Sequence, residues 1–124
     1  MKTSNSTRAY KDLIAWQKAM DLVPELYSVA KKLPRREQYG LASQIQRAAI
    51  SVPTNIAEGQ AQGTPRHFAN YLSIALGSLA ELDTLMLICV RLGYVPEEEI
   101  SEVLSLLTEV RQIIQGLLRK VKGS

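Results

Sequence analysis

Residues 51–60 read SVPTNIAEGQ, a helical pattern with a proline at its third position. Pro53 has no N–H, and its ring crowds the carbonyl of Ala49 four residues back. It also drives Val52 away from helical geometry. Taken locally, the helix should stop there. The flanking periodicity says otherwise. Leu41, Ile45, Ala48, Val52 and Ile56 hold helical spacing through the proline, and so do Gln44, Arg47, Ser51, Asn55 and Glu58. Two stripes in phase across one proline predict a single helix kinked at Pro53. Thr54 is placed to return a hydrogen bond to a freed carbonyl.

Working outward, the chain reads as four helices and no strands. The first spans about residues 12–33, with Asp12 as N-cap and a core stripe of Leu13, Trp16, Met20, Val23, Tyr27 and Ala30. Pro24 lies inside it, and Pro34 stops it. The second spans about 37–59, followed by a turn at QAQGT. Thr64 caps the third, about 65–92, with Pro65 at its first position. Its stripe is Phe68, Leu72, Ala75, Leu79, Leu82, Met86 and Cys89, and Gly93 ends it. The fourth spans about 96–121, with Glu97, Glu98 and Glu99 in its first turn and Arg119, Lys120 and Lys122 at its end, as the helix dipole favours. Short connections between long helices predict an all-α, antiparallel up-down-up-down four-helix bundle over residues 1–124, with 1–11 as an N-terminal tail.

Charge is thin on the middle two helices. From Gln38 to Glu58 the only charges are Arg47 and Glu58, and from His67 to Val90 only Glu81 and Asp83. A solvated helix face carries more, so self-association is expected to cover these helices. Gln44, Arg47, Ser51, Asn55 and Glu58 read either as a catalytic cluster or as a structural hydrogen-bond network. The structural reading is preferred, because general acid–base work needs a group poised near neutrality and no histidine joins the stripe. Arg47 with Glu81 is the expected cross-helix pair.

Composition narrows the function classes. The 124 residues suit one domain, and the net charge of +3 permits a nucleic-acid partner without requiring one. No run of 18 apolar residues and no apolar leader core appear, so a cytoplasmic protein without a membrane span is expected. A single cysteine, Cys89, and a single histidine, His67, argue against a metal site, and no cofactor-binding motif is present. His67 reads as a capping or surface residue, and Cys89 as a core filler. No nucleophile motif supports an enzyme. In the expected topology the termini and the turn into the third helix share a pole. Lys2, Arg8, Lys11, Arg66, Arg119, Lys120 and Lys122 gather there. That pole is either a phosphate-binding surface or a set of solvated helix-end cations.

Two stretches, YGLASQIQRAAISVPTNIAEG (39–59) and FANYLSIALGSLAELDTLM (68–86), resemble the four-helix-bundle family encoded in intervening sequences of bacterial 23S ribosomal RNA. The likeness runs from about Trp16 to Tyr94 and includes Gln44, Arg47, Ser51, Pro53, Asn55, Glu58, Gly59, Gly77, Ser78 and Glu81. The fold is also similar to that of the accessory protein of diversity-generating retroelements. The resemblance implies a homopentamer with an RNA-related role and no known catalysis. One departure follows A-E-G, where the family continues with a glycine and an arginine. Here Gln60, Ala61, Gln62 and Gly63 follow, and Arg66 is the nearest substitute. The resulting expectation is a non-enzymatic oligomer that binds structured RNA through the basic pole, the alternative being a protein-interaction scaffold.

Overall fold

The computed structural model describes residues 9–123. Four α-helices carry the fold: α1 (Ile14–Lys31), α2 (Leu41–Gln62), α3 (Pro65–Arg91) and α4 (Ser101–Lys122). Each helix packs on the next, and α4 closes back on α1, so the neighbours form an up-down-up-down ring. Short 3-10 turns at Ala9–Asp12, Arg35–Glu37 and Glu97–Ile100 precede α1, α2 and α4.

α2 runs unbroken through Pro53, which is itself buried. Ile45, Ala48, Val52 and Ile56 face the core from it, as the spacing requires. Thr54 is exposed and makes no return hydrogen bond, so that expectation fails. α2 also outruns its expected end. Gln60, Ala61 and Gln62 stay helical, and the turn is confined to Gly63, whose φ of 81° is the left-handed conformation that glycine adopts most easily. The Thr64 hydroxyl then caps α3 by accepting the His67 N–H at 3.2 Å. The same hydroxyl shares a hydrogen bond with His67 Nδ1 at 2.7 Å, so His67 belongs to the cap.

Two starts differ from expectation. Asp12 is spent in the first 3-10 turn, and α1 begins after Leu13 without a side-chain cap. The next turn takes Glu37, so α2 begins at Leu41, whose N–H donates to the Glu37 carboxylate at 3.3 Å.

The larger correction concerns the face of α1. Its fully covered stripe is Ala15, Ala19, Leu22, Leu26 and Val29. That is one residue, or about 100° around the helix, from the expected stripe of Trp16, Met20, Val23 and Tyr27. α1 carries two adjoining apolar stripes. The one with small residues at 15 and 19 goes inward, which lets the helices approach, and the bulkier one is left half outside. In α3 the expected stripe from Leu72 to Cys89 is buried as read. By length and composition α3 is also apolar enough to cross a membrane, a test that a bundle's core helix passes as well. Ile74, Leu87 and Ile88, with Leu92 at its C-terminal cap, remain exposed on its outer side.

Candidate binding surfaces of the bundle

The α2 polar stripe splits in two. Ser51 and Asn55 lie half-buried at the α2–α3 seam. Ser51 Oγ meets Ser78 Oγ at 2.8 Å, and Asn55 Nδ2 donates to the Ser51 carbonyl and hydroxyl at 2.8 and 2.9 Å. Gln44, Arg47, Glu58 and Glu81 are exposed and lie outside this cluster. The described ion pairs are Lys18–Glu109 at 3.2 Å and Lys32–Glu99 at 2.8 Å, so the expected Arg47–Glu81 pair does not form in the single chain. A stripe that looked internal for want of charge is therefore exposed outside its two central residues. Ser78, within the quoted stretch 68–86, is the partner that reasoning from charge passed over.

At the pole of the chain ends, Val121 of α4 lines one hollow with Gly63, Thr64 and Pro65 of the α2–α3 turn. Arg66, Arg119, Lys120 and Lys122 are all exposed in the segments that meet there. Lys11 is exposed in the 3-10 turn that packs on α2. Arg8 and Lys2 lie outside the described residues. The acids on these same segments are Asp12 and Glu58. Gln60 Oε1 is buried without a hydrogen-bond partner, and Gln60 lines the hollow with Gly59, Gly63 and Phe68.

The opposite pole holds a contact that the sequence reading missed. Tyr94 donates its hydroxyl to Glu37 Oε2 at 2.7 Å, and the Arg36 guanidinium lies 5.8 Å from the Tyr94 ring centre. The Tyr94 hydroxyl, then the Leu41 N–H, hold the Glu37 carboxyl below its ordinary range despite some burial, with a smaller contribution from Arg36. The same hydrogen bond pushes the Tyr94 phenol up. These groups join the α1–α2 and α3–α4 connections, and nothing in the local pattern of either connection announces the other. Cys89 is wholly buried, and burial pushes its thiol up.

A third surface is a groove of ≈ 670 Å³ between α1 and α2, walled by the bulky α1 stripe that the core did not take. Trp16, Met20, Val23 and Pro24 face Ile50, Pro53 and Ala57 across it, with Tyr10 and Glu58 also in the lining.

No curated protein matches this chain. Its fold is similar to the crystal structure of a protein of unknown function from the S23 ribosomal protein family of Bacteroides thetaiotaomicron. The TM-score is 0.79 at 22% identity, over 88% of this chain and 98% of that one. At this identity the likeness carries the fold alone. The sequence pattern of the 23S rRNA-intervening sequence proteins matches residues 11–116, most of the chain, and the chain belongs to that family.

Proposed function

We propose that this protein is a non-enzymatic, cytoplasmic, oligomeric binding protein whose terminal pole takes up nucleic acid, with structured RNA as the first candidate. The observation that carries the reading is the convergence of Lys11, Arg66, Arg119, Lys120 and Lys122 on one pole, all exposed. Exposed cations on a rigid frame attract phosphate through Coulomb forces and counterion release. The family's association with ribosomal RNA makes RNA the leading ligand. Oligomerisation, as a homopentamer, would repeat the pole and multiply weak contacts. The exposed Ile74, Leu87 and Ile88 of α3, with Leu92 at its C-terminal cap, supply apolar surface for it.

Fluorescence anisotropy with a structured RNA and a DNA duplex across a salt series tests the reading. Binding should weaken steeply as salt rises, with a log–log slope that counts the phosphates neutralised. Arg66→Glu, Arg119→Glu and Lys120→Glu together should abolish it and leave the oligomer's mass unchanged. No binding at low salt, or binding that survives the triple change, refutes the basic pole. A second reading, a protein-interaction scaffold, is favoured by the apolar α1–α2 groove. Pull-downs that retain a partner after nuclease treatment would support it.

A further inference from the structure

The α1–α2 groove differs from the other exposed apolar surface of this chain because its lining has a polarity. Its volume of ≈ 670 Å³ falls within the roughly 300–1,000 Å³ of ligand sites. Glu58 is the one acidic residue in the lining, which holds no basic residue, and no hydrogen bond or ion pair engages its carboxyl among the described residues. The helices are antiparallel, so Trp16 at the start of α1 lies toward the Glu58 end of α2. Tyr10 stacks edge-on to Trp16 there, with ring centres 5.4 Å apart. A carboxylate beside two aromatic rings is a place for a cation. The rest of the wall, Met20, Val23, Ile50 and Pro53, takes hydrocarbon. Pro24 and Pro53 in the lining have no backbone N–H to offer.

The dimensions suit a helix. At roughly 1.5 Å per residue, the α2 wall from Ile50 to Glu58 is about 12 Å long, or two turns. Three anchors at helical spacing on a partner cover about 10 Å. A cation in that partner's last turn is also favoured by its own dipole. We propose that this groove docks an amphipathic helical segment of a partner protein, with apolar anchors along Met20 and Ile50 and a terminal lysine or arginine at Glu58, Tyr10 and Trp16. The inference rests neither on the basic pole nor on nucleic acid, because Arg66, Arg119, Lys120 and Lys122 do not line the groove.

Trp16 is the only tryptophan and sits in the wall, so its emission reports occupancy directly. The probes are two alanine-based helical peptides with three leucines at helical spacing. One carries lysine in its last turn, and the other carries glutamate there. The lysine peptide should shift Trp16 emission to the blue and bind about fivefold more tightly than the glutamate peptide. Glu58→Gln should erase that ratio while retaining the apolar contribution. Ile50→Lys, at a half-exposed position that leaves the core intact, should abolish both signals with the circular dichroism unchanged. Equal binding of the two peptides overturns the cation end. No shift with either peptide overturns the site. Emission that moves with protein concentration and resists both peptides overturns it in favour of a second copy of the chain. All these results are read without RNA, so a failure of the basic pole leaves them unaffected.

Discussion

A methyl group at Gly59 would lie 2.6 Å from Tyr71 Cβ and 3.0 Å from Phe68 Cδ1, the first of which sits too close to the backbone to swing away. Gly59→Ala is therefore expected to destabilise the fold by about 1–3 kcal/mol, seen as a lower melting temperature. Gly77 is the contrast. A methyl there meets nothing within 4 Å and the position is exposed, so Gly77→Ala should stabilise an isolated chain by about 1 kcal/mol through helix propensity. A loss of oligomer mass in that variant would place Gly77 in an interface between copies. Glu37 gives a pH dependence. Its folded value is depressed, so its contribution is present above the unfolded value and is lost as pH falls through the folded one. Stability should therefore drop in the acid range below the ordinary glutamate value. Tyr94→Phe removes the largest cause of the depression, and Glu37 should then titrate closer to that ordinary value, as NMR of the carboxyl carbon would read.

At the scale of the helix, α2 shows why two stripes with the same spacing have different fates. Ile45 is buried against neighbouring helices, and Ile45→Ala should cost about 2–5 kcal/mol in denaturant unfolding. Arg47 is exposed and joins no ion pair, so Arg47→Ala should change the stability of an isolated chain by less than about 0.5 kcal/mol. Sedimentation of that variant separates the two remaining roles. A lower mass assigns Arg47 to contact between copies, and an unchanged mass assigns it to solvent. The core stripe of α2 was legible in the sequence because only one of its faces is continuously apolar. α1 was not legible to the same degree. Its bulky stripe and its alanine-containing stripe have equal periodicity, and periodicity does not say which one faces inward.

For the whole molecule, the pole is the proposed unit of binding. Helix-end cations are stabilised locally by the dipole, so any one of them is expected on an ordinary bundle. The proposed binding rests on their convergence, which depends on α4 returning to the end of the bundle that holds the α2–α3 turn. The number of phosphates neutralised, read from the salt slope, should therefore fall with the number of charges removed from Arg66, Arg119 and Lys120, whichever of them is changed.

Sequence alone determined the class of fold and the passage of α2 through Pro53. It also determined the Thr64 cap, the end of α3 before Gly93, and the core faces of α2 and α3. These are consequences of spacing, dihedral freedom and local hydrogen bonding, all of which act within a few residues. Tertiary structure decided the rest: which α1 stripe is buried, the Ser51–Ser78 contact in place of Arg47–Glu81, and the Tyr94–Glu37 bond between distant connections. Each of these is a choice between locally equivalent arrangements. Steric fit between helices settles it, and steric fit is set by how all four pack at once.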